Sequence, residues 1–107
     1  MKLAVAVAFL CAFLQAAKKD PAVTLKWEDK ENPKADTYNA YRNAGPCPPQ
    51  QPTSTKGFTK INTAAIDGKT FKDTTVKANK TYSYVVTAVG AKGPQSVPSN
   101  CFQILVP

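Results

Sequence analysis

The chain has 107 residues, with 14 lysines and arginines against 7 acidic residues, three cysteines and no histidine. That is length for one domain, and the lack of histidine removes the commonest general base and a common metal ligand. The net charge of +7 sits almost wholly on scattered lysine, with Arg42 the only arginine. This is the pattern of a soluble face with protected sheet edges rather than of a nucleic-acid reader, which clusters Arg and Lys with stacking aromatics. Weak attraction to anionic cell-wall or matrix polymers is compatible with it.

The chain opens with "MKLAVAVAFLCAFLQAAKKD". One lysine, an apolar run from Leu3 to Leu14, small Ala16 and Ala17, then charge: this is the order of a secretory signal peptide. The run is shorter than the ~20 residues of a stable transmembrane anchor. Cleavage is expected after Ala16 or Ala17, which makes residues 1–17 the leader and residues 18–107 the domain, with no membrane span afterwards. Leu14 or Gln15 at the small-residue position makes the cleavage site imperfect, and an uncleaved anchor is the competing reading. Cys11 lies in the apolar run and is expected to be discarded; large Phe9 and Leu10 before it do not fit a lipoprotein signal. Without Lys2 the balance is 13 basic to 7 acidic residues, a net +6. Two cysteines remain, Cys47 and Cys101. A secreted or periplasmic location makes a disulfide the default, with two free thiols as the alternative.

Beyond the leader no segment has helical periodicity. Short alternating apolar runs separated by turn residues predict six strands of an all-β sandwich. "AVTLKW" puts Val23, Leu25 and Trp27 on one face, and Thr24 and Lys26 on the other. After the polar turn "EDKENPKAD", "TYNAYRN" has Tyr38 and Ala40 on one face and Tyr41 on the opposite one. "AGPCPPQQPTSTKG" is a proline-rich loop. "FTKIN" is a short strand, and "AAIDGKT" contains an Asp-Gly turn. "FKDTTV" leads through "KANK" to "TYSYVVTAV", where Tyr82, Tyr84, Val86 and Ala88 alternate with Ser83, Val85, Thr87 and Val89. The last strand, in "VPSNCFQILV", starts irregularly because of Pro98.

The order of "VTLKW", "YNAYR", "FKDTTVKANKTYSYVVTAV" and "SVPSN" resembles a fibronectin type III domain over residues 22 to 106, and in particular the single modules of secreted bacterial proteins. The resemblance implies an immunoglobulin-like sandwich of two antiparallel sheets packed through their inward residues. Trp27 is then buried against Tyr38, Tyr84 and Val86. Tyr82, six residues after Val76, matches the family's tyrosine corner, with its hydroxyl bonded to backbone of the preceding turn. Ala78 and Lys80 depart from the usual proline and threonine of that turn, and Ala40 stands where valine is frequent. The largest departure is at the start. After cleavage only Lys18, Lys19, Asp20 and Pro21 precede "AVTLKW", so the family's first strand is short, missing or borrowed. The outer edge of Val23, Thr24, Leu25 and Lys26 is then open and a candidate interaction edge.

Little else carries chemistry. Glu28, Asp29 and Glu31 form one carboxylate cluster, read as solvated charge on an exposed turn. Its alternatives are a glycosidase pair or a weak calcium site at Asp29, Glu31 and Asn32. The PxxP spacing at Pro46, Pro49 and Pro52 reads as a loop stiffened by proline and tied by Cys47, not as an intracellular docking motif. "NKT" at Asn79 is a glycosylation pattern with meaning only in a eukaryotic source. Val85, Val89 and Tyr41 form either a binding patch or a face lying under the proline-rich loop; the second reading is favoured.

The expected function is that of a small secreted, non-catalytic binding or spacer module, without metal or cofactor. The resemblance implies contacts with a protein, cell surface or polysaccharide at the envelope or outside. An extracellular hydrolase or inhibitor, and a structural protein self-assembling weakly through the open edge, are the competing expectations.

Overall fold

The computed structural model describes residues 7–16, 21–29, 37–90 and 95–107. The described residues form seven strands: β1 (Val7–Ala16), β2 (Pro21–Asp29), β3 (Thr37–Ala44), β4 (Thr59–Lys60), β5 (Thr70–Asp73), β6 (Thr81–Val89) and β7 (Phe102–Leu105). They make two antiparallel sheets, ordered β1-β2-β5 and β4-β3-β6-β7. An immunoglobulin-like sandwich is therefore the fold: the alternation predicts the all-β sandwich, and the resemblance implies its immunoglobulin-like form.

The inward positions of the strands meet as expected. Val23, Leu25, Trp27, Tyr38, Ala40, Val76, Tyr82, Tyr84, Val86 and Ala88 belong to one buried cluster, joined by Ile66 and Val106. Trp27 and Tyr38 meet edge to face, with ring centroids 5.5 Å apart, the arrangement that the ring quadrupoles favour. The Tyr82 hydroxyl accepts the Lys77 backbone N–H at 2.9 Å, closing the tyrosine corner. In that corner Asn79 takes φ 63°, a left-handed conformation that asparagine tolerates better than most residues. The departures at Ala78 and Lys80 do not prevent it.

In the full chain the first strand is present: residues 7–16, read as the core of the leader, pair with β2 from Val7↔Asp29 to Ala16↔Pro21, with one irregularity between Val7 and Phe9. An apolar run of this length suits a leader and a buried strand equally, and only the pairing partner tells them apart. In the full chain the edge at Val23, Thr24, Leu25 and Lys26 is consequently covered on its outer side by β1 and bonded on the other to β5.

Pro98 also acts as the sequence suggests. β7 pairs with β6 only from Thr81↔Leu105 to Tyr84↔Phe102. Beyond that, two serines replace the missing ladder. Ser99 Oγ accepts from Val86 N at 2.9 Å and Ser96 Oγ from Ala88 N at 2.8 Å. Their own backbone N–H groups donate to Val86 O and Ala88 O. The irregular "SVPSN" segment thus still satisfies the edge of β6.

Candidate interaction surface

The buried polar groups hold the two sheets together. At one end of the core Asp73, only 2% exposed, sits at an inward position of β5. Its Oδ2 accepts from the Tyr84 hydroxyl at 2.7 Å and from Arg42 Nη1 at 2.8 Å. Its Oδ1 accepts from the Thr75 hydroxyl and backbone N–H. Arg42 also lies over the Tyr82 ring, 5.0 Å from its centroid, a cation–π contact. At the other end Asp29 Oδ2 accepts from the Tyr38 hydroxyl at 3.1 Å. Each carboxylate is on the β1-β2-β5 sheet and each tyrosine on the other, so both bonds cross the sandwich.

This corrects the reading of the carboxylate cluster. β2 continues through Asp29, which is buried by the same alternation that buries Trp27; Glu28 is exposed, and Glu31 and Asn32 lie outside the described residues. Asp29 therefore points away from Glu28, so these two do not share a face.

Burial works against ionisation of Asp73, but the hydrogen bonds from Thr75, Tyr84 and Arg42 outweigh it and hold the carboxyl below its usual range. Burial, followed by the nearby Asp29, pushes Tyr38 up to about 12. Burial and then the Asp73 hydrogen bond push Tyr84 up as well. A lowered carboxyl stabilises the fold above its ordinary pKa, and the contribution is lost as pH falls through the lowered value. A raised tyrosine does so below its ordinary pKa, and the contribution is lost as pH rises through the raised one. Asp73→Asn should therefore cost about 2 kcal/mol near neutrality, typical of a bond to a charged group. In urea titrations its midpoint should converge with wild type in strong acid. Tyr84→Phe should remove part of the alkaline stability loss above pH ~10.

The outer face of β6 is covered from Ser83 to Thr87, while the outward residues of β3 are half-buried. Val85 is wholly buried, as are Ser83 and Thr87. Gln95 Oε1 collects Asn39 Nδ2 at 3.0 Å, the Tyr41 hydroxyl at 2.8 Å and the Thr87 hydroxyl at 3.0 Å. The proline-rich loop is tied across this side by the Cys47–Cys101 disulfide, with a Cα–Cα distance of 5.9 Å. It is also held by Gln51 Nε2 donating to Ser99 O at 2.6 Å and Cys47 N donating to Gln103 Oε1 at 2.9 Å. Between Thr53–Thr55 and Gln95–Pro98 an open cleft of about 270 Å³ remains. Of the candidate patch Val85, Val89 and Tyr41, Val85 is buried, while Val89 and Tyr41 are half-buried, with the Tyr41 hydroxyl held by Gln95. By contrast, β2 and β5 turn Lys26 and Lys72 outward, with Lys69 exposed beside them.

Among the described residues no group of three His, Cys, Asp or Glu side chains could hold a metal ion, and no helix is long and apolar enough to cross a membrane. No protein-family model matches the chain, and no curated protein matches it at a significant level. Solved structures do. A Fn3-like protein from Clostridium thermocellum is 28% identical, with 92% of this chain and 88% of that one covered and a TM-score of 0.66. The chain folds as a fibronectin type III domain. FN3tt mut is 20% identical, with 91% of this chain and 87% of that one covered, at a TM-score of 0.56. Pectate lyase PelI from Erwinia chrysanthemi is 22% identical at a TM-score of 0.64; 94% of this chain is covered but only 27% of the enzyme. In this fibronectin type III domain the site residues Val23, Leu25, Trp27, Tyr38, Val76, Tyr82, Tyr84 and Val86 all serve the core, and Cys47 and Cys101 the loop.

Proposed function

We propose that this fibronectin type III domain is an exported, non-catalytic recognition or spacer module that contacts a protein or polysaccharide of the cell envelope or its surroundings. One observation carries this reading. The buried ionisable groups, Asp73 with Arg42 and Tyr84, and Asp29 with Tyr38, are bonded across the sandwich and serve its cohesion. The disulfide fits an oxidising compartment. The lysines of β2 and β5 give the face opposite the proline-rich loop a charge suited to anionic polymers. PelI shows that a domain of this shape occurs within a longer enzyme.

Recovery from medium or periplasm with an N-terminus near Lys18, joined to salt-sensitive binding to the organism's own envelope fraction, is the expected result. An intact Met1 start in a cytoplasmic fraction would end the export reading. Turnover of a glycosidase or peptidase substrate that is lost in Glu28→Gln would favour a hydrolase instead.

A further inference from the structure

We propose that the outer side of β2 is a strand-acceptor site whose ligand is an uncharged, apolar, extended segment of another polypeptide. The proposal rests on the export reading, under which residues 7–16 leave with the leader.

The site is visible because the structure holds a strand in it. β1, "VAFLCAFLQA", lies antiparallel along the whole of β2 and carries neither charge nor proline. The direction of the backbone groups follows from the bonds on the opposite side. Trp27 N donates to Lys69 O at 3.2 Å, and Leu25 O accepts from the Thr70 hydroxyl at 3.3 Å. Trp27 and Leu25 therefore turn their main-chain groups towards β5. Strand alternation turns those of Ala22, Thr24, Lys26 and Glu28 the other way, towards β1.

Removing β1 leaves four residues with unpaired N–H and C=O groups beside Val23, Leu25 and Trp27, whose side chains are at most 3% exposed in the full chain. Buried or half-buried backbone groups are strongly biased towards finding partners, and an exposed strand edge supplies them to an incoming strand. The other end strands are short: β5 and β7 have four residues each and β4 has two, against nine in β2.

The register states what fits. Leu10, Ala12 and Leu14 stand opposite Trp27, Leu25 and Val23, so an incoming strand needs apolar residues at that alternate spacing. Phe13 and Cys11 stand opposite Thr24 and Lys26, where the ligand must keep its N–H and so cannot be proline. A second copy's β2 fits less well. Its Val23, Leu25 and Trp27 are already committed to its own core.

The test uses the full chain with Cys11→Ser and a specific protease site in place of residues 17–20. After cutting, the leader fragment should stay bound, and a labelled peptide of residues 7–16 carrying Cys11→Ser should displace it one to one. Amide exchange at Thr24 and Lys26 should be slow with the strand present and at least tenfold faster once it is removed. The same peptide with proline at positions 11 and 13 should not displace it, and Thr24→Pro or Lys26→Pro in the cut protein should abolish uptake while Trp27 emission stays blue. The proposal is overturned if the cut domain keeps its fold yet takes up no peptide. It is also overturned if the proline peptide binds equally well, or if the cut domain forms a β2-to-β2 dimer that the peptide cannot dissolve. Failure of the export reading shows separately, in the N-terminus of the native product.

Discussion

Trp27→Ala should lower stability by about 3 to 5 kcal/mol, the range for truncating a large buried aromatic. That is a large part of the 5–15 kcal/mol that keeps a typical domain folded. Trp27 is 3% exposed and lies in the central cluster, edge-on to Tyr38. Its removal empties the space between β2 and β3 and also loosens the Tyr38 ring whose hydroxyl holds Asp29. Trp27→Phe should cost clearly less. The indole N–H has no hydrogen-bond partner among the described residues, so phenylalanine removes an unsatisfied buried donor along with the lost volume. Native emission should be blue and shift red in denaturant. A red, freely quenched native emission would refute the core assignment.

Breaking the disulfide should have a comparable effect. Cys47 and Cys101 are 54 positions apart, and the chain-entropy relation gives about 4 kcal/mol for a loop of that size. The double variant Cys47→Ser/Cys101→Ser should lose about that much in urea titration. It should also expose the Val85 side of the sheet, read as faster amide exchange on β6 and as uptake of an apolar dye. The remaining ties, Gln51 to Ser99 and Cys47 N to Gln103, are single bonds of about 1 kcal/mol each and cannot replace the covalent link. Quantitative thiol labelling of native protein taken from an oxidising compartment would contradict the bridge.

These two effects arise on opposite sides of the β4-β3-β6-β7 sheet. Trp27 supports its inner face, and the disulfide fastens the loop on its outer face. This explains why β6 is buried from Tyr82 to Ala88 on both sides, although its outer face carries hydroxyls. Those hydroxyls are used: Thr87 bonds Gln95, and Ser83 Oγ donates to Asn43 O at 3.4 Å.

Much of this was legible in the residues. Period-two alternation in "AVTLKW" and "TYSYVVTAV" assigns the inner face, because successive strand side chains must point to opposite sides. A lone tryptophan at an inward position marks the centre of the core, and the two cysteines beyond residue 17 allow one bridge. The same alternation also marked Asp29 and Asp73 as inward, at the parity of Trp27 and Phe71, and Arg42 at the parity of Tyr38. That signal was available, but charge argued for solvent, and only the opposite sheet shows that Tyr38, Tyr84 and Arg42 stand ready to receive those carboxylates. Local sequence sets which way a side chain points; whether a partner waits there depends on a strand many residues away. The segment Val7–Ala16 is the sharpest case. An uncharged apolar run has the same composition as a leader core and as a strand, so its place in the folded chain is set by a pairing partner, the outer edge of β2, that the run itself does not reveal.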